Sequence, residues 1–319
     1  MTVFLHVLIF IVSGVLLAFA GKFIITALIK IARVLCWKEF VVAFFIMAFA
    51  GSLPNFFVGI SAALRGIPEL AFGDVVGGNL ADLTIVLALA TLFAKGLPAA
   101  SKTIQTSSIF TLVVAILPIL LILDGKLGRI DGIILILFFA MYIAWLFSKD
   151  ERFKKTYDTP PCPVSSQLKE FLKDIGIMVA GIALILLAAQ GIVTSALFFA
   201  DYFNLSLVLI GILVVGLGNC MPETYFSIVS AKKGEGWLVL GDLMGTVIVA
   251  ATLVLGVVAL ISPIIITDFS PFAIARIFLV LAAVFFLTFV RTGQKITRKE
   301  AIFLLSLYII FLITEILTK

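Results

Sequence analysis

Apolar runs about as long as a membrane is thick recur along the whole 319-residue chain. A helix needs about 20 apolar residues to cross the hydrocarbon of a bilayer. Hydrophobic residues make up 63% of the chain and charged residues 13%, whereas a soluble domain has about 25% charged residues. The sequence therefore predicts an all-α membrane protein with ten transmembrane helices, over residues 3–29, 39–64, 69–94, 104–123, 130–148, 172–200, 205–231, 236–261, 272–291 and 300–318.

The basic residues are unevenly distributed over the predicted connections. If the N-terminus is outside, 17 lysines and arginines fall on the inner side and four on the outer side. Basic residues accumulate in cytoplasmic connections. This predicts a multi-pass protein of the cell membrane with both termini outside and the central loop, residues 149–171, in the cytoplasm. The net charge of +5 then reflects topology, so lipids and not nucleic acid are the expected partners. The oligomeric state stays open.

The polar loop divides the chain into two predicted five-helix repeats, residues 1–148 and 172–319. An odd number of helices in each half turns the second half upside down relative to the first, which is the inverted-repeat plan of many transporters. A shift of 168 residues superposes two pairs of motifs without a gap: AGSLPN (50–55) falls on GNCMPE (218–223), and LAFGDVVGG (70–78) falls on LVLGDLMGT (238–246). The duplicated motifs occupy residues 50–82 and 218–250.

Each repeat has a proline in the middle of an apolar run. Pro54 and Pro222 lack a backbone donor, so each should break its helix and free the carbonyl four residues earlier, at Ala50 and Gly218. Freed carbonyls are tolerated at membrane depth only where they face protein or a water-filled cavity. The two carbonyls are therefore predicted cation ligands at the centre of the membrane.

Acidic side chains accompany these breaks. Glu223 follows its proline directly, Asn55 takes the matching place in the first half, and Asp74 and Asp242 each lie 19 residues further on. The repeat brings these four side chains towards one point, and Asp82 lies two helical turns beyond Asp74, off the symmetric centre. Ionisable groups inside a membrane are expensive and mark ion pathways. We predict that Glu223, Asp74 and Asp242 form the centre of a site that holds protons or hard metal cations such as Ca²⁺, Mg²⁺ or Na⁺.

Packing is the alternative explanation for part of this pattern. An aspartate can be hydrogen-bonded locally and serve only to fix a helix, although two symmetry-related aspartates beside a glutamate favour a site. Gly73, Gly77, Gly241 and Gly245 form faces of small residues that let helices approach closely. We expect these faces to bring the third and eighth helices together.

The segments AGSLPN with GDVVGGNLAD and GNCMPE with GDLMGT resemble the two alpha-repeats of the Ca²⁺/cation antiporter superfamily, and the chain looks like a prokaryotic Na⁺/Ca²⁺ exchanger. The resemblance implies a secondary antiporter that exchanges Ca²⁺, or a related divalent cation, for Na⁺ or H⁺ by alternating access. It implies no cofactor besides the transported ions. It adds Ser52, Ser227, Asn79 and Asn219 to the predicted cation-binding residues.

The first repeat departs from the family pattern. Asn55 stands where the family has a glutamate, and Asp74 stands where that repeat usually has an asparagine. The two changes look like an exchange that keeps three central carboxylates. Gly51 and Asn219 stand where the family has threonines.

Two other functions are alternatives. AFGD and VLGD superficially resemble the GxGD motif of intramembrane aspartyl proteases, in which two aspartates could activate water. Such an enzyme needs no proline break ahead of each aspartate and gives Glu223 no role. A non-transporting ion-binding relative is the second alternative, which no residue favours.

Overall fold

The computed structural model describes residues 2–34, 51–94, 96–147, 168–266 and 272–317. Almost all of these residues are helical, as the apolar runs predict. The elements of the first half are α1 Thr2–Val34, α2 Leu53–Leu64, α3 Pro68–Ala81, a π-helical turn Asp82–Val86, α4 Leu87–Ala94, β1 Leu97–Pro98, α5 Lys102–Leu121, a 3₁₀ turn Ile122–Asp124, β2 Lys126–Leu127 and α6 Arg129–Phe147.

The second half has a similar succession of elements. Its short strands pair with those of the first half, β1 with β4 and β2 with β3, both antiparallel. The elements are α7 Leu168–Phe203, α8 Leu207–Ile210, a π-helical turn Gly211–Val215, α9 Gly216–Asn219, α10 Met221–Lys232, α11 Gly236–Ile248, a π-helical turn Val249–Val254, α12 Leu255–Ile261, β3 Ile264–Ile265, α13 Ala273–Arg291, β4 Lys295–Ile296 and α14 Arg298–Leu317.

Seven helices of the described residues are long and apolar enough to cross a membrane, so the chain is a multi-pass membrane protein. The other three predicted spans, 3–29, 39–64 and 300–318, stay predictions, and the first part of 39–64 lies outside the described residues. The seven helices are Pro68–Ala94, Lys102–Asp124, Arg129–Leu146, Lys173–Phe203, Leu207–Lys232, Gly236–Ile261 and Ala273–Arg291.

The backbone around the two proline motifs repeats with the offset of the sequence motifs. Helix α10 begins and ends 168 residues after α2 begins and ends. The residues before these helices, Ser52 and Cys220, have the same backbone angles, with φ of −78° in both. The turns that follow contain Gly66 and Gly234, whose φ values of +72° and +81° suit glycine. The two motifs therefore have the same local fold.

The prolines lie in the first turn of the helices that follow the breaks. Pro54 is the second residue of α2 and Pro222 the second of α10. A helix has no intrahelical acceptor for its first amides, so a missing donor is cheap there. In the second half, α9 ends at Asn219 and α10 begins at Met221, with a single turn residue between them. The breaks thus form without an interior proline kink.

Backbone packing between the two halves forms the centre of the fold. Helix α3 contacts α8, α9 and the π-helical turn between them. A Cβ on Gly73 would collide with the Val208 carbonyl, and one on Gly77 would lie 2.6 Å from the Ile212 Cα. The glycines of the third span, Gly73 and Gly77, therefore pack on the seventh span. The second half offers Gly211 at this contact, whose Cα lies 3.0 Å from the Cβ position of Gly73. The third and eighth spans also contact each other, as expected.

Helices α1 and α7 form a pair that packs mainly on itself. The His6 ring stacks on Phe198 with ring centroids 3.9 Å apart, and Phe10 packs edge-on against Phe199. Fewer contacts join this pair to the other helices.

One exposed side chain ties α7 to the turn between α2 and α3. The Arg65 guanidinium donates to the Thr194 hydroxyl at 2.9 Å and to the Gln190 side-chain oxygen. Because a solvated hydrogen bond contributes little net free energy, this is a weak link that can break and re-form.

We predict that Gly77→Ala destabilises the protein, because a Cβ there meets backbone and not a movable side chain. Overpacking of this kind costs about 1–3 kcal/mol. Gly176→Ala is the matched control, since a Cβ at Gly176 in α7 meets nothing within 4 Å. Thermal unfolding in detergent should show a lower Tm for Gly77→Ala and an unchanged or higher one for the control. Equal Tm values for both variants would contradict the packing described here.

Candidate functional site

Four carboxylates of the duplicated motifs are buried together at the helix breaks. Asp74 lies on α3, Asp82 begins the π-helical turn after it, Glu223 lies in the first turn of α10, and Asp242 lies on α11; none is more than 5% exposed. Glu223 interacts electrostatically with Asp82, Asp242 and Asp74, and Asp82 also with Asp74 and Asp242. Asp82 therefore lies within electrostatic reach of the other three acids.

Asp74 has a partner from the other half of the chain. The side-chain amide of Asn219 donates to both of its carboxylate oxygens, at 3.0 and 3.1 Å. Asn219 is the last residue of α9 and is itself buried. The contact is possible because the glycine face of α3 lets the two backbones meet.

The opposite side of the group has no such amide. Gly51 takes the place that Asn219 has in the second repeat, and it carries no side chain. A Cβ built on Gly51 would lie 3.6 Å from the Thr246 hydroxyl oxygen, 3.7 Å from Oε1 of Glu223 and 3.8 Å from Oδ1 of Asp242. Three side-chain oxygens thus face the same small space beside Gly51.

Several oxygens of this group are buried without a hydrogen-bond partner among the described residues. Such atoms cost free energy unless a ligand or water satisfies them. Both oxygens of Glu223 are in this state, which is unusual for a carboxylate. The full set at the breaks is Oε1 and Oε2 of Glu223, Oδ1 of Asp82, Oδ1 of Asn55, Oγ of Ser227 and Oγ1 of Thr246.

The Cys220 thiol lies among these groups. It donates to the Gly78 carbonyl at 3.4 Å and is within hydrogen-bonding reach of Asp82. A Cβ on Gly78 would lie 3.8 Å from its sulfur and 4.0 Å from the Asn55 amide nitrogen. Cys220 therefore fills space between Asn55 and Asp82, which fits the packing role of a small, weakly polar side chain.

The remaining predicted ligands have different outcomes. Ser52, directly before α2, and Asn79, on α3, are both buried, and the Ala50 carbonyl lies outside the described residues. The Gly218 carbonyl accepts a hydrogen bond from a backbone N–H at the end of α9. It is therefore not left unpaired by Pro222, because the tightened last turn of the helix supplies a donor.

The predicted three-carboxylate metal site is not assembled as one coordination sphere. No three His, Cys, Asp or Glu side chains of the described residues lie close enough together to hold one metal ion. Asp74 is engaged by Asn219, whereas Glu223 and Asp242 share the space beside Gly51 with a hydroxyl. Carboxylate and hydroxyl oxygens are hard ligands of the kind that Ca²⁺ and Na⁺ take.

Thr246 is a site residue that the sequence argument missed. Threonines within a helix usually bond to the carbonyl four residues earlier, as Thr91 does with Leu87 and Thr252 with Ile248. The Thr246 hydroxyl makes no such bond and has no partner among the described residues. The superposed motifs contain one indication of its role: Thr246 falls on Gly78, so only the second repeat has a hydroxyl at this position.

Comparisons with known proteins identify the family of the chain. A family model described as sodium/calcium exchanger protein matches residues 5–148 and 173–317. The chain belongs to this family. Members are cation antiporters, so the protein is a transporter and not an enzyme, and the protease alternative is excluded.

Individual relatives match over most of their length. The chain is 30% identical over 264 residues to a proposed antiporter, CaxA of Alkalimonas amylolytica, with 80% of this chain and 81% of the relative covered. It is 22% identical to the sodium/calcium exchanger MaX1 of Methanosarcina acetivorans, with 96% and 95% covered. The solved structure of the sodium–calcium exchanger NCX_Mj has the same fold, with a TM-score of 0.67, 24% identity, and 97% of this chain and 98% of that chain covered.

We predict that Thr246→Val weakens cation binding about tenfold, equivalent to about 1.4 kcal/mol, because it removes one ligand oxygen and keeps the shape of the side chain. Thr252→Val is the control in the π-helical turn after α11, since the Thr252 hydroxyl is bonded to its own helix. Calcium titration calorimetry on the detergent-purified protein measures both variants. Wild-type affinity in Thr246→Val would remove Thr246 from the site.

Proposed function

We propose that the protein is a secondary antiporter that exchanges Ca²⁺, or a related divalent cation, for Na⁺ or H⁺ across the cell membrane. Membership of the exchanger family supports antiport of cations, and the name of the relative MaX1 points to sodium and calcium. The chemistry of the site supports the same ions, because its side-chain oxygens are hard ligands.

The observation that carries the proposal is the state of Glu223. Its carboxylate is buried in the first turn of α10, directly after the second helix break. Both of its oxygens lack a hydrogen-bond partner among the described residues. An uncompensated carboxylate in hydrocarbon is expensive. A transported cation or proton would neutralise it in turn, so each ion can leave only when another takes its place. This obligatory replacement is the physical basis of exchange.

Alternating access requires part of the bundle to move relative to the rest. The α1 and α7 pair is the moving part in this proposal, and the other helices are the fixed part. Within the fixed part, glycine contacts join α3 to α8 and α9 backbone to backbone. The pair packs mainly on itself, and Arg65 joins it to the fixed part by hydrogen bonds at an exposed position. The site then opens to one side of the membrane at a time.

The predicted topology belongs to the same proposal. Ten transmembrane helices in two inverted repeats, residues 1–148 and 172–319, place both termini outside and the loop 149–171 in the cytoplasm. The residues proposed to bind the transported cations, not all of them to one ion, are Glu223, Asp74, Asp242 and Asp82, with neutral oxygens from Asn55, Ser52, Asn79, Ser227, Thr246 and Asn219.

We predict that Glu223→Gln abolishes exchange, because it removes the charge that must be neutralised and keeps the volume of the side chain. The measurement is radioactive calcium uptake into proteoliposomes under an imposed Na⁺ gradient or an imposed pH gradient. The wild-type protein should take up calcium under one of these gradients, which identifies the coupling ion.

Glu235→Gln is the matched control. Glu235 is a partly exposed residue on the turn between α10 and α11, outside the site. The Glu235→Gln variant should transport calcium like the wild-type protein. The proposal would be contradicted if the wild-type protein took up no calcium under either gradient, or if Glu223→Gln were fully active.

A further inference from the structure

We propose that the end of the bundle around β1 and β4 binds the headgroup of an anionic phospholipid, with Lys232 and Lys295 as its cationic contacts. The proposal concerns a surface outside the cation site, and it does not depend on which ions the protein transports. Its basis is the way in which three distant segments of the chain bring basic side chains to one end of the fold.

Contacts between these segments define this end of the bundle. β1 pairs with β4, and a Cβ on Gly236, the first residue of α11, would lie 2.8 Å from the side chain of Pro98 in β1. The side-chain amide of Gln105 in α5 also donates to the Val290 carbonyl near the end of α13, at 2.7 Å. The segments that meet here are residues 96–105, 230–237 and 290–300.

This end has an excess of positive charge among the described residues. The basic side chains that the second half of the chain contributes are Lys232, Lys233, Arg291, Lys295, Arg298 and Lys299. Two glutamates lie on the same segments: Glu300 accepts from the amide and the hydroxyl of Thr297 at the start of α14, and Glu235 is half-buried before α11.

The opposite end, around β2 and β3, is balanced in charge. Its segments carry four basic and four acidic side chains. These segments are residues 64–69, 122–131, 201–206 and 273–276. An anionic partner is therefore expected at the end around β1 and β4 only. In the proposed topology this end faces the cytoplasm, where anionic lipids attract basic segments.

Two of these lysines lie against the last turn of α4. The Lys232 ammonium is over the Phe93 ring, 4.6 Å from its centroid. Lys295 passes over Gly96, where a Cβ would lie 2.5 Å from its Cε and 3.3 Å from its Nζ. The Gly96 amide donates to the Thr91 carbonyl at 3.0 Å, so Gly96 lies directly at the end of the helix. The two ammonium groups therefore bring positive charge to one helix end.

The charge of the two lysines exceeds what this helix end neutralises. The C-terminal end of a helix carries about half a negative charge, whereas the two ammonium groups carry two positive charges. Both lysines are also exposed, so the remaining positive charge is available to a ligand. A lipid phosphate has the opposite charge, and lysine binds phosphate as a point charge.

Aromatic side chains place this surface at the boundary between lipid and water. Phe93 is 51% exposed, and Trp237, in the first turn of α11, is 41% exposed. Tryptophans collect at the depth of the headgroups, and a lysine there can keep its aliphatic part in lipid and its ammonium at the surface. The same surface thus offers rings to acyl chains and ammonium groups to a phosphate, which favours a lipid over free phosphate.

The test measures equilibrium binding of a fluorescently labelled phosphatidylglycerol to the full-length protein in a neutral detergent. Labelled phosphatidylcholine, whose headgroup has no net charge, is the reference lipid. We expect the wild-type protein to prefer phosphatidylglycerol, and the double variant Lys232→Gln with Lys295→Gln to bind it about 25-fold more weakly. This loss corresponds to about fivefold, or about 1 kcal/mol, for each lysine near an anionic lipid.

Two matched double variants remove the same charge elsewhere. Lys126→Gln with Arg129→Gln alters exposed residues of the opposite end, and it should bind phosphatidylglycerol like the wild-type protein. Lys233→Gln with Lys299→Gln alters the same end but leaves the two lysines at α4 in place, and it should weaken binding by less than about fivefold.

Lys232→Arg with Lys295→Arg keeps both charges and should bind phosphatidylglycerol like the wild-type protein, which separates a loss of charge from a loss of folding. Equal binding of the two lipids by the wild-type protein overturns the proposal, as does wild-type affinity in Lys232→Gln with Lys295→Gln. Equal losses in the two double variants of this end also overturn it, because they indicate a diffuse positive field. Displacement of the labelled lipid by an equal concentration of inorganic phosphate overturns it in favour of a free-phosphate site.

Discussion

The absence of water in the bilayer interior controls every feature of this structure. A polar group at that depth must be bonded within the protein or be neutralised by something that the protein binds. Most of the chain meets this condition with helices. The duplicated motifs break the helices and add four carboxylates, and there the protein pairs Asp74 with Asn219 but leaves Glu223 without a partner among the described residues. Two acids of the same site thus meet this condition in different ways: Asp74 is bonded within the protein, and Glu223 is not.

The fold class and the central acids could be predicted from the sequence because both depend on patterns that are local or repeated. Apolar length predicts the spans, and the 168-residue offset predicts that α2 and α10 begin and end at equivalent residues, as they do. The same offset singles out Glu223, Asp74 and Asp242 as candidate site residues, because an ionisable side chain within an apolar span is costly unless it has a function.

What the sequence could not predict depends on contacts between distant segments. The partner of the glycine face on α3 depends on the order of the helices in the bundle, which no motif encodes, so the contact of this face with the seventh span was not predicted. Thr246 could not be predicted, because the hydroxyl of a threonine in a helix ordinarily donates to the carbonyl four residues earlier. The structure shows that the Thr246 hydroxyl has no partner among the described residues.

The hydrogen bond between Asn219 and Asp74 joins residues that are 145 positions apart. When α3 enters the membrane during synthesis, its acid and its glycine face have no partner, because residues 208–219 have not yet been made. The first half is therefore an unfinished structure until the second half arrives, even though the two halves are copies of one pattern. Duplication has produced a single cooperative unit here: cutting the chain between the halves would separate each from the surface that completes it.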